Sequence, residues 1–148
     1  SYIELAIKEG GTVLAGGTRE MTGFTGPQGV GAFLQPTVVG SLPHTSRCAT
    51  EEIFGPMVTL HTFSTESEAL EMVNASEYGL AGSVWTKDAE RGRVFSEQME
   101  TGIVWVNTWL HRDLRTPFGG VKNSGVGREG GQWSLDFFSE LTNVCIKN

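Results

Sequence analysis

The spacing of apolar residues changes along the chain, and each change predicts an element. Tyr2 to Glu9 has the spacing of a helix, ended by Gly10-Gly11, with no clear cap in front of it. Thr12 to Ala15 predicts a short strand. Gly16 to Gly31 is rich in glycine and has no usable period, which predicts a loop or hairpin. Phe33 to Val39 predicts a strand in which Pro36, lacking an N–H, marks an edge or a bulge.

After Pro56 the pattern becomes regular. Met57 to Phe63 predicts a strand. Thr65-Glu66-Ser67-Glu68 can form a capping box, since hydroxyl and carboxylate each satisfy a free backbone N–H. The helix that follows places Ala69, Leu70 and Val73 on one face. Ala81 to Thr86 predicts a second strand, Asp88 caps a helix running to about Met99, and Ile103 to Val106 predicts a third strand. Strand and helix alternate, which implies an α/β class with a parallel sheet and helical crossovers. Such sheets bind ligands beyond the carboxyl ends of their strands, so the loop from Asn107 to Phe118 is the candidate site. At the tail, Thr142, Val144 and Ile146 share one face of a terminal strand, whose free edge can pair with another subunit.

Composition narrows the functional classes. The 148 residues are 39% hydrophobic and 19% charged, within the globular range. A net charge of −6 without a Lys/Arg cluster argues against nucleic-acid or anionic-membrane partners. Cys48 and Cys145 are too few for a disulfide framework, and no signal peptide or membrane-spanning run is evident, so a cytoplasmic location with reduced thiols is expected. Asn74-Ala75-Ser76 matches a glycosylation sequon, read here as chance. His44, His61 and His111 lack metal-ligand spacing, so no metal is expected. The abrupt start on a helical run suggests part of a longer polypeptide.

Two motifs overlap in HRDLRTPFGGVKNSGVGREGG, residues 111 to 131, and both fail. His111-Arg112-Asp113-Leu114 opens like a kinase catalytic loop, but Phe118 stands where that loop needs a metal-binding Asn. Gly125 to Gly130 spells G-x-G-x-x-G, yet loop precedes it and too little chain follows to complete a dinucleotide-binding unit. A loop in which glycines let backbones pass closely, before a helix near Arg128, is the plainer reading.

Three pieces carry a more specific resemblance. Glu51-Glu52-Ile53-Phe54-Gly55-Pro56, then Trp105-Val106-Asn107, then Pro117-Phe118-Gly119-Gly120-Val121-Lys122-Asn123-Ser124-Gly125-Val126-Gly127-Arg128-Glu129 resemble the C-terminal portion of the NAD(P)-dependent aldehyde dehydrogenases. The Trp109-to-Arg115 insert is similar to the branch that oxidises 2-hydroxymuconic or 2-aminomuconic semialdehyde. The resemblance implies the later part of the catalytic domain over residues 1–134 and an oligomerisation strand over 135–148. It also implies a homo-oligomer, dimer or tetramer. In that family a thiolate attacks the aldehyde, hydride passes to NAD(P), and a glutamate-activated water releases the acid. The resemblance puts the nucleophilic Cys and the base Glu upstream, so no catalytic residue is expected here and the piece alone should be inactive. Both cysteines read as small buried hydrophobes.

What remains are binding roles. Glu52 matches the family's glutamate that binds the nicotinamide-side ribose, and Phe54 the aromatic beside the nicotinamide. On local physics alone, Glu51 and Glu52 could be solvated and Phe54 core. NAD is the expected cofactor. Arg112 stands where family members often carry an apolar or aromatic residue facing substrate. A guanidinium there is costly to desolvate unless it meets an anion, and its planar fork suits a carboxylate. Muconic semialdehydes carry one at the end away from the aldehyde. Arg115 is the competitor, although Asp113 beside it suggests an internal ion pair. Leu110 and Phe118 are expected as apolar walls, and Trp109 as wall or core. Asn107 resembles a residue that holds this loop. The rival to a dehydrogenase piece is a non-catalytic α/β module that dimerises through its tail.

Overall fold

Helix α1, Tyr2–Lys8, is capped after all. Ser1 Oγ accepts from Glu4 N and the Glu4 carboxylate accepts in turn from the Ser1 backbone nitrogen, so a capping box sits where the sequence showed no clear cap. The structure is a computed structural model that describes residues 1–18 and 33–147. Beyond Thr18, the glycine-rich stretch expected as a loop or hairpin lies outside the described residues. The chain divides into two compact units, Ser1–Ser64 and Thr65–Asn148.

The first unit holds a mixed three-stranded sheet in the order β1 (Thr12–Ala15), β2 (Thr37–Gly40), β3 (Met57–Thr59). β1 runs antiparallel to β2 with a register shift between Val13 and Ala15, while β3 runs parallel to β2. Two expectations are corrected. The strand begins at Thr37, after Pro36, and it is central; the bulge falls on its neighbour β1. The Thr37 N–H bonds to the Pro56 carbonyl at 2.8 Å, so the ladder starts at the first residue past proline that can donate. A short helix that the pattern did not reveal, α2 (Arg47–Thr50), lies between β2 and β3. Ala6, Val39, Leu42, Cys48 and Met57 form the buried core, with Ile53 packed against it.

In the second unit, Thr65 caps α3 (Glu66–Asn74) by accepting from Glu68 N, and Asp88 caps α4 (Ala89–Ser96) by accepting from Arg91 N. β5 (Ala81–Val84) and β6 (Ile103–Val106) pair in parallel across α4, as the alternation predicts. β4 (Tyr78–Gly79) pairs antiparallel with β7 (Val121–Lys122). The expected third partner of the parallel sheet, Met57 to Phe63, is shorter and belongs to the first unit's sheet, because β2 rather than β5 supplies its hydrogen bonds. The last helix, α5, spans Gly131–Phe138 and starts later than Arg128, because Glu129 is tied up in a bridge to Phe118. Thr142 to Lys147 forms no strand: among the described residues nothing pairs with it, and a strand needs a ladder. Val144 and Ile146 are 73% and 82% exposed there. Cys145 is exposed too, against the expectation of burial, whereas Cys48 is buried. No described helix is long and apolar enough to cross a membrane.

Candidate functional site

Glu51 to Pro56 leaves the end of α2 as a tethered loop. Glu51 receives Arg47 Nε and Nη2 at 2.6 and 3.1 Å and the Tyr2 hydroxyl at 2.8 Å. Arg47, then Tyr2, hold its carboxyl below the usual glutamate value. Downstream, Gly55 N bonds to Ile53 O and Met57 N to Gly55 O, closing tight turns. Between these ties Ile53 packs on the core. In an extended segment neighbours alternate sides, so Glu52 and Phe54 are turned outward, and Phe54 is 98% exposed. Phe54 is therefore not core. Glu51 is not merely solvated; its i,i+4 spacing from Arg47 was the available signal.

Cys48 sits beside this network. Its thiol lies 3.5 Å from the Tyr2 carbonyl, and burial first, then the negative charge of Glu9 and Glu51, pushes its pKa up. A thiol so placed stays protonated and unreactive.

The other candidates lie in the second unit. Asn107 ends β6 in a left-handed backbone conformation, φ 54°, which asparagine tolerates, and its Oδ1 accepts from Thr86 N at 2.8 Å. That bond ties the loop leaving β6 to the end of β5, the holding role expected of Asn107. Trp105 Nε1 donates to the His111 carbonyl at 2.7 Å, and Trp109 tilts onto Trp105 with centroids 4.9 Å apart. Trp109 is nonetheless 59% exposed, so it is not ordinary core. Leu110 is also left-handed, φ 56°, and 67% exposed. An aliphatic residue held at that φ is strained by about 1–2 kcal/mol.

Arg112 and Phe118 come together. The guanidinium carbon of Arg112 lies 4.0 Å from the Phe118 ring centroid, and Nη2 is 3.1 Å from Glu129 Oε1. Phe118 and Glu129 are antiparallel neighbours, exchanging two N–H···O bonds of 2.8 Å. Arg112 is thus stacked on a ring and touched at one corner, with its side chain 36% exposed. Arg115 differs: Nε reaches both Asp113 oxygens at 2.9 and 3.1 Å, Nη2 also bonds Oδ2, and the side chain is 87% exposed. That pair lowers the Asp113 pKa and occupies the Nε–Nη2 edge of Arg115. Glu129 stands in the sequence motif, but the ten positions between them hide its pairing with Phe118. No group of His, Cys, Asp and Glu suited to a metal exists among the described residues. The Asn74 carboxamide bonds Gln98 O and Glu100 N inside the fold, which supports reading its sequon as chance.

A pocket of about 430 Å³ opens beside this loop, lined by Leu80, Phe118, Arg128, Glu129, Phe137 and Phe138 among others, but not by Arg112 or Leu110. Glu52 and Phe54 belong to the first unit, and Leu110, Arg112 and Phe118 to the second.

Comparison with known proteins gives a consistent picture. The sequence model described as the aldehyde dehydrogenase family matches residues 1–144. A 2-aminomuconic 6-semialdehyde dehydrogenase of Pseudomonas sp is 50% identical over 99% of this chain and 30% of its own length. A 2-hydroxymuconic semialdehyde dehydrogenase of Pseudomonas putida is 47% identical over the same shares, 99% and 30%. The crystal structure of a Mycobacterium tuberculosis aldehyde dehydrogenase complexed with NAD+ superposes with a TM-score of 0.85 at 42% identity, covering 94% of this chain and 28% of that one. The chain spans about 30% of the length of the curated relatives it matches.

Proposed function

Because this chain belongs to the aldehyde dehydrogenase family, we propose that it is part of an NAD-dependent dehydrogenase that oxidises a carboxylated, muconic-type semialdehyde to the acid. The aldehyde carbon gives up a hydride and gains an oxygen from water. NAD, when bound, supplies the hydride acceptor. Residues 1–134 form the later part of the catalytic domain and 135–148 the oligomerisation segment.

Glu52 and Phe54 fit the cofactor. A carboxylate accepts from two vicinal hydroxyls at once, and a ring 98% exposed has a free face for a planar heterocycle. The Glu51 network holds their loop from one end and the Ile53 contact from its middle, so the backbone that carries both side chains is in place before binding.

The substrate reading is carried by one observation: among the described residues, Arg112 is stacked on Phe118 and held at a single corner, leaving most of its fork open. An apolar wall behind an open guanidinium suits a hydrocarbon chain that ends in a carboxylate. Leu110 completes that wall. The names of the relatives, muconic semialdehyde dehydrogenases, support the same substrate class. Cys48, buried and with its pKa raised, does not suit the nucleophile's role, and the family resemblance puts that residue and its base upstream. Two unpaired thiols suit the cytoplasm. The exposed Val144 and Ile146 suit strand pairing with another subunit, as a homo-dimer or tetramer.

Arg112→Ala in the full-length protein tests this. KM for a carboxylated semialdehyde should rise roughly ten- to a hundredfold, the worth of a charge-assisted hydrogen bond, and far less for a neutral aldehyde. Equal losses on both substrates would refute the clamp.

A further inference from the structure

We infer that Glu129 is a positioning residue for Arg112, fixing the guanidinium plane for the incoming carboxylate and so setting selectivity for acidic aldehydes; this rests on the substrate reading above. Arginine has many rotamers, and an arginine that must be ordered at the moment of binding spends part of the binding energy on that ordering. Two contacts order this one beforehand. The Phe118 ring, 4.0 Å from the guanidinium carbon, sets the plane. Glu129 Oε1, 3.1 Å from Nη2, sets the rotation within that plane.

The two contacts are not independent of each other. Phe118 and Glu129 are locked side by side by the paired backbone bonds, Phe118 N to Glu129 O and Glu129 N to Phe118 O, both 2.8 Å. Ring and carboxylate are therefore presented as one unit. The backbone pairing does not involve the Glu129 side chain, so truncating that side chain leaves the bridge in place.

The contact is also incomplete, unlike the neighbouring ion pair. Asp113 meets Arg115 through both carboxylate oxygens and through Nε and Nη2, which occupies one whole edge of that guanidinium. Among the described residues Glu129 touches Arg112 through Nη2 alone. One corner is held and the rest of the fork faces a second carboxylate. The opposite role, a competitor that the substrate must displace, would call for the closed bidentate geometry seen at Arg115.

The test uses full-length protein with Glu129→Gln, Glu129→Ala, Arg112→Ala and the double variant. KM and kcat are measured on a carboxylated semialdehyde and on a neutral aldehyde of similar length. Glutamine keeps an acceptor oxygen, so Glu129→Gln should stay within about threefold of the parent. Glu129→Ala should raise KM for the acidic aldehyde about tenfold more than for the neutral one, the cost of ordering one long side chain, with the loss in KM rather than kcat. The double variant should be no worse than Arg112→Ala alone. A lower KM in both Glu129 variants would make Glu129 a competitor and overturn the inference. So would equal effects on the two aldehydes, or additive losses in the double variant. A selective Arg112→Ala with a silent Glu129→Ala refutes Glu129's role alone; an unselective Arg112→Ala takes down the substrate reading and this role with it.

Discussion

Gly102 lies just ahead of β6, directly against the segment that carries Phe118. A Cβ at this position would sit 2.7 Å from the Gly119 carbonyl carbon and closer still to its oxygen, with Gly120 Cα at 3.2 Å. All three are backbone atoms, so no side-chain rotation can relieve the contact. To restore ordinary separation, the 119–120 backbone has to retreat by about an ångström. Overpacking of this kind costs roughly 1–3 kcal/mol of stability. The functional cost is larger, because Phe118 is the residue next to the displaced carbonyl and its ring sets the plane of Arg112. Misplacing a substrate-positioning group by about 1 Å can cost on the order of a hundredfold in rate. Gly102→Ala in the full-length protein should therefore lower kcat/KM for the carboxylated semialdehyde by tens to a hundredfold and lower Tm. Gly82→Ala is the control: its Cβ would meet the thioether end of Met99, which can swing aside. Parental activity and Tm in Gly102→Ala would show that the Gly102–Gly119 contact does not place Phe118, and the reasoning would fail.

Glu51 offers a pH test. Arg47 and Tyr2 hold its folded-state carboxyl below the ordinary 4.5, so the network contributes stability above the unfolded value and loses it as pH falls through the lowered one. In Arg47→Gln the Glu51 titration, followed by carboxyl NMR, should move up toward the ordinary value and the acid-linked loss of stability should shrink; an unmoved titration contradicts the network. Val39 is fully buried in the core cluster of the first unit. Val39→Ala should cost about 2 kcal/mol in denaturant unfolding, from lost burial and an unfilled cavity, and no measurable loss would refute its core role.

Local chemistry was legible in the sequence wherever neighbours decide the outcome. Thr65 and Asp88 cap their helices by reaching three residues ahead, and β6 runs over the same four residues that its apolar run predicts. The Asp113–Arg115 pair, two residues apart, was legible for the same reason. What failed depended on distant partners. β3 joins β2, not β5, and no spacing within Met57 to Phe63 distinguishes the two. The tail has a strand's alternation but no described partner, so it stays unpaired. In the site, Arg112 and Phe118 were read as separate contributors, and their stacking needed coordinates. Glu129 lies inside a glycine-rich stretch, and nothing in its spacing showed that it bridges back to Phe118.

The central claim is that Arg112, braced by Phe118 and Glu129, receives the acidic end of the substrate. A crystal structure of the full-length protein bound to a dicarboxylate product tests it most directly. The distal carboxylate should lie within hydrogen-bond distance of the Arg112 guanidinium, on the edge away from Glu129, with its carbon chain against Phe118 and Leu110. A distal carboxylate seated on Arg115, or meeting no arginine of this loop, would contradict the account.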